Sequence, residues 1–392
     1  MYAILNKQLK FSQYIDSCKS AYTKGLGPKL STNCNKIMQT NRNVYIDIVK
    51  SFAISMVVLG HCLQYTLPDN ERFSNTLFIM IYSMHMPLFI AISGYLFYYQ
   101  TKKYSCKELI KNKLRIIGLP AMSFSILIVL AQLTIVWLKG DLSFGSLINS
   151  VGNYFIKGVW FLWALLIISL VYSHLVKYKL PYILVGTILM IPISFIVPNV
   201  SILNWCIYLA PFFGIGYIVN RLDIYNRISK NKFSVLLLSA IVWCFTLPLM
   251  YNKEAFIYNT GTYIFVSDIN TQVMRDVIRV ISGCVGSCTI LLLIDISLRF
   301  YRNIAIGGGK NKYIKMFIVN PILLLGRKTL HIYAISMCLV NTIVCAIMSK
   351  LISCYPFAIM LDVVIVLSVC IILSKILSMN KMTRFLFSGS LI

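Results

Sequence analysis

Two histidines stand inside long apolar segments, where an imidazole is one of the few side chains able to exchange a proton near neutral pH. His61 lies eleven residues after Lys50 in the first such segment, and His85 lies in the second, two residues before Pro87. On a helix that turns about 100° per residue, Lys50 and His61 share one face, about 16 Å apart along the axis. Asp47, three residues before Lys50, joins that face. Because ionisable side chains are costly inside a membrane, these residues are candidates for a functional site.

The same residues also allow a purely structural interpretation. Asp47 and Lys50 could form an ion pair at the membrane interface, with Lys50 extending its ammonium group to the aqueous surface. His61 could simply hydrogen-bond one helix to another. His85 is predicted at a depth similar to that of His61, beside the kink or break expected at Pro87. Two imidazoles at one depth favour a site over packing.

The composition indicates a protein of the membrane. Of the 392 residues, 58% are hydrophobic and 12% are charged, whereas soluble domains carry about 25% charged residues. Apolar runs of about 18 residues or more predict transmembrane helices. The predicted fold is therefore an all-α polytopic membrane helix bundle with about ten transmembrane helices. The predicted spans are 45–66, 76–100, 116–138, 159–176, 180–198, 202–220, 233–251, 274–298, 320–348 and 355–378.

The net charge of +25 is concentrated in alternate connections. Basic residues collect in the segments 101–115, 221–232 and 299–315 and in the N-terminal extension, whereas 67–75, 252–271 and 349–354 contain one each. The positive-inside rule then places both termini in the cytoplasm. This rule explains the charge without a nucleic-acid partner, because no basic stripe is interleaved with exposed aromatic residues.

Three regions follow from this organisation. Residues 1–43 are predicted to be a polar cytoplasmic extension without a signal peptide. Residues 44–378 form the predicted transmembrane domain, and 379–392 form a short cytoplasmic tail. The cysteines lie mostly in apolar runs without a CxxC pair, which indicates small buried side chains and predicts neither a disulfide framework nor a metal site.

Four further ionisable residues, Arg275, Asp276, Arg279 and Asp362, fall in the half of the bundle opposite the basic connections. Arg275 and Arg279 share a helix face four residues apart, and Asp362 lies in the last predicted span. The two arginines could bind an anionic glycan or a lipid-linked phosphate. They could equally anchor the helix at the interface, with Asp362 as their partner.

Six segments between residues 44 and 340 occur in a characteristic order. They are Lys50 to His61 preceded by Asp47, His85–Phe89 with Ser93–Tyr95, Lys113–Arg115 leading to Pro120, Trp160–Leu162 with Leu165, Pro211–Tyr217, and Leu325–Tyr333. Together they resemble the membrane-bound acyltransferase-3 family, which acetylates surface polysaccharides and other extracytoplasmic acceptors. Two positions depart from the family pattern. Lys50 stands where the family more often has Arg, and Ser336 stands near the place of a late His, with His331 just before the Ile-Tyr pair.

The resemblance implies an O-acyltransferase in the bacterial inner membrane that uses cytoplasmic acetyl-CoA as a consumed donor. The donor phosphates need fixed cations, for which Lys50, Lys113 and Arg115 are the candidates, although the last two could serve topology alone. The acceptor would be a glycan or a lipid-linked sugar. Its hydroxyl needs a general base, and His61 is expected to act as that base or to carry the acyl group as an acyl-imidazole. His85 could orient His61, stabilise the oxyanion or bind the acceptor. Lys50 and Asp47 complete the predicted catalytic set.

Two other functions compete with acyl transfer. A transporter or flippase for a lipid-linked sugar would show broken helices in symmetry-related positions and would not need the spacing of His61. A glycan polymerase or ligase would show a long extracytoplasmic loop rich in arginine and acids. The longest such connection, about 252–273, is modest.

Overall fold

The computed structural model describes residues 43–138, 140, 143–178, 180–196, 201–265, 268–305, 320–352 and 354–390. Within these ranges every regular element is a helix. The helices of two turns or more are α1 (Val44–Thr66), α2 (Thr76–Thr101), α3 (Cys106–Lys113), α4 (Leu119–Leu138), α5 (Phe144–Tyr154), α6 (Trp160–Leu175), α7 (Leu180–Ile196), α8 (Ser201–Arg221), α9 (Lys232–Thr246), α10 (Ile269–Ala305), α11 (Asn320–Arg327), α12 (Thr329–Ile335), α13 (Asn341–Leu351), α14 (Tyr355–Leu377) and α15 (Lys381–Ser388).

The predicted class, a multi-pass helical membrane protein, is confirmed. Among the described residues, eight helices are long and apolar enough to cross a membrane. The predicted span 180–198 corresponds to α7, which at 17 residues is shorter than those eight. The predicted span 320–348 corresponds to a bent pair, Thr329–Cys338 and Ile343–Leu351, whose axes meet at 65°. The count of ten and the cytoplasmic placement of the termini stay predictions.

Several segments expected as loops are helical. The predicted loop 101–115 contains α3, whose start is fixed by a capping box in which Ser105 and Glu108 exchange hydrogen bonds. α3 continues through a π-helical turn, Leu114–Gly118, into α4. Residues 299–305 of the predicted loop 299–315 belong to α10, and 306–315 lie outside the described residues. The predicted extension 1–43 lies outside the described residues apart from Asn43.

The predicted tail 379–392 contains α15, which packs against α4. The rings of Phe124 and Phe387 lie 4.9 Å apart, and the Ser123 hydroxyl donates to the carbonyl of Leu386 at 3.0 Å. α15 is short and amphipathic, and it buries its apolar face by packing against the apolar helix α4. Sequence periodicity over so few residues did not predict this contact.

Helix α2 packs against both α8 and α10. A Cβ atom added at Gly94 of α2 would overlap the carbonyl oxygen of Phe213, and one added at Gly216 of α8 would overlap that of Ala91. Such contacts between small residues let helix backbones approach closely in a membrane. α2 also runs unbroken through Pro87, where a break was one of the expected outcomes.

Side-chain contacts identify the two ends of the bundle. At the basic end, the Tyr45 hydroxyl donates to the carbonyl of Leu291 at 2.9 Å, and Lys232 pairs with Asp295 at 2.7 Å. At the opposite end, the ring of Phe73 lies 5.4 Å from that of Phe256. The acid–base candidates of α1 and α2 therefore lie between a basic end and an aromatic end.

Substituting Gly216 with Ala is expected to lower the thermal unfolding midpoint by several degrees. The added methyl would force the backbones of α8 and α2 apart, and overpacking of this kind costs about 1–3 kcal/mol. The matched control is Gly186→Ala, because nothing lies within 4 Å of a Cβ added at Gly186 of α7. Unfolding would be followed in detergent by size-exclusion fluorescence, and equal midpoints for the two variants would contradict this packing.

Candidate active site

A cavity of about 640 Å³ brings His61 and His85 together near the aromatic end. We call it the histidine cavity. Its walls come from five helices (α1, α2, α6, α8 and α12), from the turn before α6 and the segment after α12, and from the connections 67–75 and 252–265. The residues that line it are Val57, His61, Gln64, Tyr65, Arg72, Phe73, Phe78, Tyr82, His85, Met86, Lys157, Trp160, Asn204, Trp205, Phe256, Ile257, Asn259, Thr260, Gly261, Tyr333 and Met337.

The hydrogen bonds of His61 determine which of its nitrogens can act as a base. Its Nδ1 lies 3.1 Å from the side-chain oxygen of Gln64, and the Tyr82 hydroxyl donates to the same oxygen at 2.7 Å. An amide oxygen only accepts hydrogen bonds, so with this amide orientation Nδ1 carries the proton. The Nε2 of neutral His61 is then left with its lone pair.

His85 is held in the same tautomer by the backbone. The residue is only 4% exposed, and its Nδ1 donates to the carbonyl of Ile81 at 2.7 Å. The ring of Tyr82 packs against it edge to face, with centroids 4.9 Å apart. Two imidazoles with Nε2 lone pairs thus line one cavity, and Tyr82 contacts both His85 and the partner of His61. Such a pair can accept protons from a hydroxyl group.

Gln64 and Tyr82 were missed by the sequence analysis. Each lies three residues from a histidine on the same helix, Gln64 after His61 and Tyr82 before His85, so each shares a helix face with its histidine. A search for polar residues at that spacing would have found both. The sequence does not show that they meet. That contact requires α2 to approach α1 at Gly60, where an added Cβ would lie 3.1 Å from the Tyr82 ring.

A second cavity, of about 190 Å³, lies on the basic side and is lined by both Lys50 and Lys113. We call it the lysine cavity. The ammonium group of Lys113 lies 5.1 Å from the centre of the Phe97 ring. The remaining lining residues are mostly apolar: Val57, Met86, Phe89, Ile92, Ser93, Leu96, Gln100, Ile117, Phe161, Leu162, Leu165, Thr329, Leu330 and Tyr333.

The two cavities have three lining residues in common: Val57, Met86 and Tyr333. Val57 lies on the face of α1 between Lys50 and His61, seven residues after the lysine and four before the histidine. The Tyr333 hydroxyl accepts a hydrogen bond from the backbone N–H of Phe161 at 3.3 Å. These three side chains form the partition between the cavities.

Asp47 and Arg115 lie outside the lining of both cavities. Asp47 is buried and pairs with Arg327 of α11 at 3.5 Å. Arg115 lies in the π-helical turn, where its guanidinium donates to the side chain of Asn112 at 3.3 Å. The predicted role of Asp47 in catalysis and that of Arg115 in donor binding stay predictions. The structure brings together the two lysines of the predicted donor set.

Arg279 holds the connection that walls one side of the histidine cavity. It is 3% exposed and donates to the backbone carbonyls of Glu254, Ala255 and Gly261 at 2.5–2.7 Å. An ion pair with Asp276 at 2.6 Å compensates its charge. The fixed connection presents Phe256, Ile257, Asn259, Thr260 and Gly261 to the cavity. Arg279 therefore positions the wall and is not itself part of the lining.

The other two predicted acceptor ligands also have protein partners. Arg275 forms an ion pair with Glu254, and Asp362 accepts a hydrogen bond from Thr66 at 2.9 Å. Neither lines the histidine cavity, so their predicted role in acceptor binding stays a prediction. Asp362 is hydrogen-bonded to α1, whereas the expected alternative made it the partner of the arginines. His331 is buried on α12 and also lies outside both linings.

Comparison with known proteins identifies relatives of this chain. A family model described as an acyltransferase domain, of the acyltransferase-3 type, matches residues 43–379. The chain is 30% identical over 244 residues to nodulation protein NolL of Sinorhizobium fredii, an alignment that covers 60% of the chain and 64% of the relative. It is 26% identical over 258 residues to nodulation protein NolL of Mesorhizobium japonicum, covering 64% of the chain and 67% of that relative. No solved structure matches the chain.

Replacing Arg279 with Gln is expected to release the connection 254–261. Hydrogen bonds from a charged donor contribute about 1.5–3 kcal/mol each, so amide hydrogen exchange in this connection should become at least about tenfold faster. Arg275→Gln is the matched control, because its single ion pair with Glu254 is partly exposed and contributes about 1 kcal/mol or less. Exchange would be measured by mass spectrometry on the intact protein. Unchanged protection in Arg279→Gln would show that other contacts hold the wall.

Proposed function

The chain belongs to the acyltransferase-3 family, and on this premise we propose that it transfers an acyl group, acetyl in the first instance, from acyl-CoA to a hydroxyl of a surface or lipid-linked glycan. We place it in the cytoplasmic membrane of a bacterium, in keeping with the bacterial relatives. The observation that carries the proposal is the pair of cavities: one is lined by lysines at the basic end, one by histidines at the aromatic end, and Val57, Met86 and Tyr333 separate them.

The lysine cavity is the proposed donor site. The positive-inside rule places its end of the bundle in the cytoplasm, where acyl-CoA is available. Lys50 and Lys113 supply ammonium groups for the phosphates of the donor. The apolar walls, with Phe89 and Phe161 among them, suit the less polar arm that carries the thioester. In this orientation the acyl group points toward the partition and the histidines.

The histidine cavity is the proposed acceptor site. The Nε2 lone pair of His61 takes the proton of the acceptor hydroxyl while the hydroxyl oxygen attacks the thioester carbonyl carbon. The carbon–sulfur bond breaks, an ester forms, and the proton passes to the departing thiolate. If His61 is instead acylated first, the same Nε2 attacks the thioester carbonyl carbon, the carbon–sulfur bond breaks and the thiolate leaves. The acceptor hydroxyl then attacks the acyl carbon, the bond from that carbon to Nε2 breaks, and the hydroxyl proton passes through Nε2 to the thiolate. Neutral His85 also presents an Nε2 lone pair, so it would serve as a second proton acceptor and not as an oxyanion donor.

Removing the imidazole of His61 is expected to lower acyl transfer by about 10²–10⁴-fold, the usual contribution of a general base. The first measurement is NMR of envelope glycans from cells expressing wild type, His61→Ala or His85→Ala at matched membrane levels. Purified protein incubated with radiolabelled acetyl-CoA and quenched would distinguish the two routes, since only the second leaves label on the protein. Full activity of His61→Ala would refute the mechanism.

The donor site predicts a specific kinetic effect of the lysines. Lys50→Met and Lys113→Met should each raise the KM for acetyl-CoA about tenfold, since each removes a charge-assisted hydrogen bond to phosphate. The matched control is Lys111→Met, because Lys111 lies on the same helix as Lys113 but is exposed and outside the cavity lining. Equal KM values for all three variants would show that the donor does not bind in the lysine cavity.

The alternative is transport of a lipid-linked sugar. One bent helix pair, α12 with α13, occurs among the described residues, whereas the transporters considered above break helices in symmetry-related pairs. If cells expressing the wild type add no acyl group to any glycan, the transport hypothesis takes precedence. Flipping of a fluorescent lipid-linked sugar in proteoliposomes would then be the direct assay.

A further inference from the structure

Two basic residues from outside the predicted donor and acceptor sets line the histidine cavity. Arg72 and Lys157 both line the cavity, and among the described residues that line it there is no Asp or Glu. The two cations come from separate segments of the chain, Arg72 from the connection between α1 and α2 and Lys157 from the turn before α6. A cavity with this lining attracts anions.

Membrane topology does not explain these two cations. The positive-inside rule concentrates lysine and arginine at the other end of the bundle, where charge sets orientation. At the aromatic end, Arg275 and Arg279 have carboxylate partners in Glu254 and Asp276, and neither lines the cavity. Arg72 and Lys157 differ from them because they face the space proposed for the acceptor.

Packing fixes the backbone beside both cations. The ring of Phe73, next to Arg72, lies 6.0 Å from that of Phe78 and 5.4 Å from that of Phe256. The turn Lys157–Val159 is anchored by Val159, which is completely buried. The cationic groups therefore extend from ordered positions.

Aromatic rings complete the lining between the cations and the histidines. Trp160 and Trp205 meet edge to face with centroids 4.7 Å apart, and Tyr65 stacks on His61 at 6.2 Å. Rings with a few placed polar groups are typical of sites that fix the orientation of an organic ligand. The combination suits a molecule with sugar rings and a negatively charged group.

We infer that the acceptor is an anionic glycan whose negative group is bound by Arg72 and Lys157, which places a hydroxyl of the neighbouring sugar at His61. That the bound molecule is the acyl acceptor rests on the proposed function. That it is anionic rests on the two cations alone. The negative group is either the diphosphate of a lipid-linked saccharide or the carboxylate of an acidic sugar. Both require the same two cations.

The test measures binding without acyl transfer, through the fluorescence of the tryptophans in the full-length protein in nanodiscs. Two matched pairs of probes separate the sources of charge: geranyl diphosphate against geraniol, and a hyaluronan tetrasaccharide against its methyl ester. We expect one charged probe to bind at least about tenfold more tightly than its neutral counterpart, as for a charge-assisted hydrogen bond. The pair that shows the preference identifies the source.

Substitutions of the two cations test whether the preference for charged probes arises in the histidine cavity. Arg72→Gln and Lys157→Gln should each reduce it, and the double variant should abolish it while binding of the neutral probes stays unchanged. Arg72→Lys should keep most of it. The matched control is Lys253→Gln, since Lys253 is exposed at the same end but outside the lining. A preference that survives in the double variant, or the absence of any preference in the wild type, overturns the inference.

The outcomes separate this inference from the proposed function. Charge-selective binding in a protein that transfers no acyl group would uphold the anion site and reject acyl transfer. Acyl transfer by a protein whose binding shows no charge preference would uphold the proposed function and reject the anion site.

Discussion

The architecture depends on the close approach of α2 and α8. Gly94 and Gly216 each lie against a backbone carbonyl of the facing helix, so that no side chain separates the two helices along this seam. In a lipid environment the hydrophobic effect does not drive helices together, and packing between small residues takes its place. Because α2 carries His85 and Tyr82, this seam also fixes where the second imidazole stands relative to the rest of the bundle.

Each of the two histidines makes a hydrogen bond through one ring nitrogen and keeps the other nitrogen available for proton transfer. A buried donor or acceptor without a partner is costly, and here each imidazole uses Nδ1 to meet that requirement. Gln64 accepts from both Tyr82 and His61, and the Ile81 carbonyl accepts from His85. The interactions that stabilise the rings thereby leave both Nε2 atoms as proton acceptors. In each ring, Nδ1 thus makes the stabilising hydrogen bond and Nε2 keeps the reactive lone pair.

The two cavities give the bundle different chemical environments at its two ends. The lysine cavity is small and mostly apolar apart from its cations. The histidine cavity is larger and rich in aromatic residues, and Arg279 holds one of its walls in place. The proposed reaction, between a donor and an acceptor that reach the bundle from opposite ends, needs two sites with a thin partition between them. Val57, Met86 and Tyr333 are that partition.

The helical membrane class was determined by the sequence alone, because long apolar runs have few stable alternatives in a bilayer. The family and the register of Lys50 and His61 on one face of α1 also followed from the sequence, since helical periodicity is a local property. The partners of Arg275, Arg279 and Asp362 did not, nor did the contact of Tyr82 with Gln64 or the sharing of one cavity by Arg72, Lys157 and the histidines. Each of these depends on which helices are neighbours and at what distance. Neighbours and distances are decided by side-chain packing between segments far apart in the chain, and no local pattern encodes them.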